Sequence, residues 1–253
     1  MRFLLALLLC APGLGAAAPL TLAAAQARPG LGVTITGGAP LVVTVKNQSP
    51  EAVVIGQAAG LICKAEGGAS RIITLRALEL TVAANAEAEA TVPAALLSAN
   101  PPTGSLAPTS ETEPRLTPLL AYLATRNDLP RLTAQLLVRC ILEDPSFAAW
   151  QRAIGIAAGT EPAPEQVIAA IDALGVLRQI TPERTFKLAT DPELKLRAVR
   201  NPVARGKAMK LYGIDLPEAP LPPDLGTLLH TKTGDNCPIC RQRALMQPPA
   251  DGL

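Results

Sequence analysis

The chain has 253 residues, 49% of them hydrophobic, 17% charged and 2% aromatic, with a formal net charge of +2. A nearly neutral chain without a Lys/Arg block and with few aromatic rings argues against nucleic-acid partners, which need a basic footprint or stacking platforms. The length allows one large domain or two modest ones, and the apolar fraction, mostly Ala, Leu and Val, supports a packed core rather than full-length disorder.

The first 27 residues read as a secretory signal. Arg2 is a short positive region, and Phe3 to Cys10 (FLLALLLC) is an apolar run too short to span a bilayer. Two small-residue sites follow, Ala16-Ala17-Ala18 and Ala25-Gln26-Ala27. Cleavage after Ala18 would leave Pro19 first, so the expected cut follows Ala27. An uncleaved anchor and a lipoprotein on Cys10 are the alternatives. No later run of 18 or more apolar residues occurs, so the exported protein, periplasmic or extracellular, is expected to have no transmembrane segment.

Residues 28–98 read as a small antiparallel β-sandwich, Ig-like in type. The strand signals are Leu41 to Val45 (LVVTV), Ala52 to Ile55, Arg71 to Leu75 (RIITL), Leu78 to Val82 (LELTV) and Glu87 to Val92 (EAEATV). Turn signals at Gly37-Gly38, Asn47 to Pro50, Gly67-Gly68 and Ala84-Asn85 separate them. A single sheet packed on the following helices is the alternative. Residues 99–115 (ANPPTGSLAPTSETEPR) are rich in Pro, Ser and Thr, and read as a linker.

From 116 to 213 the period becomes helical, and an all-α domain of short stacked helices is expected. Its cap-and-proline starts are Thr117-Pro118, Asp144-Pro145, Thr181-Pro182, Asp191-Pro192 and Asn201-Pro202. They predict helices over 118–126, 131–143, 146–157, 164–177, 182–189, 192–199 and 202–212. The stretch from Lys187 to Lys210 carries seven basic and two acidic residues. It is either an ordinary solvated face or a surface for an acidic or headgroup partner. The fold class is thus α+β.

Residues 214–253 form a Pro-rich tail with the densest chemical signal, His230 followed by Cys237-Pro-Ile-Cys240. Three readings compete. His230, Cys237 and Cys240 offer three soft donors for zinc. Cys237 at a helix start beside Arg241 would be a low-pKa redox thiol. A local Cys237–Cys240 disulfide would staple the tail. No cofactor other than this possible zinc is implied. His230 is the only His, so a Ser-His-Asp or Cys-His set would require it, and no catalytic residue is assigned. Cys63 and Cys140 are both expected to point inward, either bonded to each other or as buried free thiols.

GLIC at 60–63, SRIITLRALELTV at 70–82, Asn100-Pro101-Pro102 and TAQLLVRCILEDPSF at 133–147 resemble bacterial secreted surface proteins that join a small β-sandwich to a helical segment, as thioester-type adhesion domains do. In those domains a cysteine near the end of the β region couples to a Gln on a later helix. Gln135 stands where that Gln would be, while the region of Leu97-Ser98 holds no Cys. The resemblance implies the architecture and not the chemistry. The resulting expectation is a non-catalytic binding or scaffolding protein of the cell envelope, its partner an envelope protein or surface. A zinc or thiol-redox protein using the C-terminal motif is the rival.

Overall fold

A computed structural model describes residues 18–216, except 67, 99, 127–128 and 158–159. It is a mixed α+β structure of antiparallel sheets and several helices. Helix α1 (Leu22–Ala27) comes first, capped by Thr21 Oγ1, which accepts from the Ala24 amide at 3.2 Å. Nine strands follow among the described residues: β1 (Leu31–Gly37), β2 (Leu41–Asn47), β3 (Val53–Gln57), β4 (Ile62–Ala65), β5 (Arg71–Thr74), β6 (Leu78–Val82), β7 (Glu87–Val92), β8 (Ala94–Leu96) and β9 (Leu106–Pro108). They form three sheets, ordered β1-β2-β7, β3-β6 and β8-β5-β4-β9.

Alternation sets which face is buried. In β2, Leu41, Val43 and Val45 point inward, and Thr44 and Lys46 pair in register with Glu89 and Glu87 of β7. Asn47 ends β2 as a buried polar junction. Its amide donates to the Glu51 carbonyl at 2.7 Å and the Ala83 carbonyl at 2.9 Å, and its carbonyl accepts from the Ser49 amide at 3.0 Å. One side chain so satisfies groups of two turns that would otherwise be buried without partners.

The helical part contains α2 (Thr117–Ala124), α3 (Arg131–Glu143), α4 (Phe147–Ala153), α5 (Pro164–Ile180), α6 (Lys187–Thr190), α7 (Pro192–Arg200) and α8 (Pro202–Gly206), the last continued by a π-helical turn, Lys207–Leu211. Acidic and amide caps join these elements. Asp191 Oδ1 accepts from Glu193 and Leu194 at the start of α7, and its Oδ2 accepts from the Phe147 amide at the start of α4 at 2.8 Å. Asn201 Oδ1 caps α8 through Val203 and Ala204. Asp172, buried in α5, accepts from Lys207 Nζ at 2.7 and 2.9 Å and from the Tyr212 hydroxyl at 2.9 Å. Gly175 makes room for the Tyr212 ring, since a Cβ there would lie 2.2 Å from it.

Several expectations need correction. Asp144-Pro145 does not open a helix: Asp144 is left-handed (φ 50°) at the end of α3, and its carboxylate accepts from the Lys187 amide at 2.9 Å. Ser146 caps α4 instead. Thr181 likewise closes α5, its hydroxyl donating to the Leu177 carbonyl, and residues 182–186 are not helical. Arg184 within them is exposed and spans back to α3, donating to the Ile141 carbonyl at 2.9 Å and lying over the Phe186 ring at 4.5 Å.

The stretch 99–115, expected to be a linker, carries β9, paired with β4, and a 3-10 turn at Pro114–Leu116. Leu106 and Leu116 are buried, which ties this stretch into the apolar interior. Glu111 accepts from Lys64 of β4 and from Arg71 of β5. The core also runs across that stretch. One cluster lies among the sheets and α1, while the other joins Ile62, Ile73, Leu75 and Ala95 of the β region to the helices. The N-terminal boundary at 27/28 falls at the end of α1, whose Leu22 and Ala25 belong to the sheet cluster.

The ion pairs of the 99–115 stretch predict an acid response. Hydrogen bonds from Lys64 and then Arg71 hold the Glu111 carboxyl below its ordinary range, and Arg115 does the same for Glu113. A carboxyl held low in the folded chain adds stability that is complete above its unfolded pKa and is lost as pH falls through its folded value. Glu111→Gln should lower the urea midpoint at neutral pH, with a gap that narrows on acidification and in high salt, because the pair is solvent-exposed. A gap that widens in acid would contradict this assignment.

Candidate functional site

Gln135 lies on α3 and reaches the sheet. Its Oε1 accepts from the Leu96 amide at 2.8 Å, and its Nε2 donates to the Leu96 carbonyl at 2.9 Å. One turn further along, Arg139 Nη2 donates to the Ser98 carbonyl at 2.7 Å. The spacing of four residues puts both side chains on one helix face, and that face runs along the outer edge of β8. Leu97-Ser98, where the resemblance would need a cysteine, directly follows Leu96.

Cys63 and Cys140 are free and buried. Cys63 is in β4 and belongs to the sheet cluster, whereas Cys140 is in α3 and belongs to the cluster shared with the helices. Burial pushes the Cys63 thiol up to about 11. Burial, and secondarily the Asp144 carboxylate, pushes Cys140 up to about 12. Neither is a nucleophile at neutral pH, because the thiolate is the reactive form. His230, Cys237 and Cys240 lie outside the described residues, and so do the metal, redox and disulfide readings placed on them. Among the described residues no group of three or more His, Cys, Asp or Glu could hold a metal ion, and no helix is long and apolar enough to cross a membrane.

The basic stretch is partly neutralised by nearby carboxylates. Lys207 pairs with Asp172, and Arg197 pairs with Glu161 at 2.9 Å and Glu193 at 3.8 Å. A cleft of about 350 Å³ beside α5 and α7 is lined by Arg178 and Arg184. Both are committed to backbone carbonyls, Arg178 to Tyr212 and Gly213 and Arg184 to Ile141. These arginines hold chain segments together.

A different concavity has the character of a binding groove. It measures about 330 Å³ and lies between the β7–β8 junction and the helices α2 and α3. Leu75, Pro93, Ala94, Leu123, Leu129 and Ala134 make its walls apolar, and Arg76 and Arg131 supply its charge. Arg131 is the first residue of α3, a position where the helix dipole is already positive. Pro130 precedes it and gives no side-chain cap, and the first turn contains no acid. This end of the groove therefore has a positive potential that nothing in the first turn offsets. Sequence reasoning missed the groove because its residues come from five separate segments. The one local signal was Pro130-Arg131 opening a strongly periodic helix without a capping side chain or a first-turn acid.

Comparison of the chain with protein-family models, with curated proteins and with solved structures returns no match.

Gln135→Ala leaves the Leu96 amide and carbonyl without their partner. It should cost about 1–3 kcal/mol, read as a lower urea midpoint with an unchanged slope. For the cysteines, alkylation of the native protein followed by peptide mapping should leave Cys63 and Cys140 unmodified. Both should be labelled after denaturation without reductant. A peptide linking the two positions would show a bond in place of two thiols.

Proposed function

We propose that the protein is an exported, non-catalytic binding or scaffolding module of the bacterial cell envelope, periplasmic or extracellular. In this reading its three sheets form an Ig-like sandwich that carries the helical part. The position of Gln135 against Leu96, next to Leu97-Ser98, supports the architecture implied by the thioester-type resemblance.

The observation that carries the binding reading is the groove between sheet and helices. Its volume is that of an ordinary ligand pocket, and junctions between structural units are preferred places for such pockets. Apolar walls provide contact area, and the positive end at Arg131 selects a negative group. The occupant that fits is a short apolar peptide segment of another envelope protein, carrying one acidic residue that meets Arg131. Binding requires no chemistry from the groove, whose charged side chains among the described residues are both arginines.

Selection of a random peptide library on the protein tests this. The expected winners place Asp or Glu next to two or three apolar residues, and Arg131→Glu should abolish their binding while leaving the thermal midpoint within a few degrees. Enrichment of no sequence class, or binding indifferent to Arg131→Glu, would overturn the groove as the site. Metal content of the purified full chain tests the rival. One zinc per chain, lost in Cys237→Ser, would replace the binding-only reading with one built on His230, Cys237 and Cys240.

A further inference from the structure

We infer that the leader is removed at the Ala17–Ala18 bond, so that residues 18–27 remain in the exported protein as part of its fold. The inference rests on the export reading, and it moves the cut ten residues upstream of the Ala27–Arg28 bond that the sequence pattern favours.

Residues 19–27 are built into the sheets. The Leu20 amide donates to the Val54 carbonyl at 2.9 Å, and the Leu20 carbonyl accepts from the Gly56 amide at 2.9 Å. Leu20 thereby occupies the side of β3 that β6 leaves open. Pro19 lies so close to Gly56 that a Cβ at 56 would come within 2.6 Å of its side chain. The Leu22 amide donates to Gln57 Oε1 at 3.3 Å, which fixes the start of α1 against the end of β3. Leu22 is 2% exposed and Ala25 is fully buried, both inside the sheet cluster with Ile55 and Val82. A cut after Ala27 would excise two core side chains and leave the Gly56 amide and Val54 carbonyl on a bare strand edge.

The chemistry of leader removal fits a cut before this region. A leader peptidase requires small side chains at the first and third positions before the cut. Gly15 and Ala17 meet that requirement for the Ala17–Ala18 bond. The Ala18–Pro19 bond is poor, because its nitrogen belongs to the proline ring. Hydrolysis consumes one water. The carbonyl carbon of Ala17 takes the oxygen and leaves as a carboxylate on the leader, and the Ala18 nitrogen takes both protons of the water to become the ammonium group of the new amino terminus. Two residues then separate that terminus from the first sheet hydrogen bond at Leu20. By contrast, Ala25-Gln26-Ala27 lies on α1 with Ala25 buried, a placement that suits a structural element better than a recognition strip.

The test is the N-terminus of the protein recovered from the export compartment, read by intact mass and N-terminal sequencing. The expected start is Ala18-Pro19-Leu20. A chain starting at Arg28 overturns the inference while leaving the export reading intact. A chain that keeps Met1 overturns it through the export reading itself. Ala27→Leu changes an exposed position and should leave the start at Ala18; accumulation of the precursor would count against the assignment. Amide hydrogen exchange on the same material gives an independent readout. Gly56 should be protected, and exchange at the rate of a free strand edge would show that residues 18–27 are not seated there.

Discussion

The contact between Gln135 and Leu96 decides how the two kinds of secondary structure meet. β8 is three residues long and stands at the end of its sheet, paired on one side with β5. An edge strand presents unpaired amide and carbonyl groups, and burying these without partners is costly. A Gln side chain ends in an amide with the same donor and acceptor as a peptide group, so it can stand in for one residue of a neighbouring strand. Gln135 does this for Leu96, and Arg139 continues the line to Ser98. A helix thereby covers a sheet edge that it could not satisfy with its own backbone, because its amides are used within the helix.

The apolar interior follows from that junction. With α3 held along β8, Leu136, Leu137 and Val138 enter one cluster with Ile73 and Ala95, and α5 packs on the other side of α3. The groove is the part of the same junction that side chains do not fill. Its walls owe their spacing to the attachment at β8, and Arg131, one of its two charged residues, starts the helix that makes the attachment. The two thiols lie on opposite sides of this arrangement, in separate clusters.

Legibility in the sequence varied with how local each cause is. The apolar period of α3 is carried by its own residues, and the helix runs over the expected 131–143. β2 was legible from its β-branched residues, and β6 and β7 from alternation. β9 was not, because Leu-Ala-Pro becomes a strand only where β4 offers an edge and Lys64 and Arg71 receive Glu111. Thr181 and Asp144 each carried a helix-start signal that the fold uses to end a helix, since a short polar side chain can serve either end according to the partner nearby. α1 was obscured because an Ala-rich run that follows an apolar N-terminal sequence reads as the end of a leader. Gln135 could be placed on a helix from sequence, but its partner, 39 residues away, depends on tertiary structure.

Asp191 carries a consequence for the order of events during synthesis. Its carboxylate closes the first turn of α7 with one oxygen and the first turn of α4 with the other, 44 residues earlier in the chain. A ribosome makes α4 first, and for the time needed to add those 44 residues the Phe147 amide has no such partner. Phe147 and Trp150, the largest side chains of α4, are fully buried in the finished protein, so the segment stays apolar and incomplete during that interval. Such an apolar, incomplete stretch is open to misassociation while the chain is being made, and its completion waits for the arrival of one carboxylate.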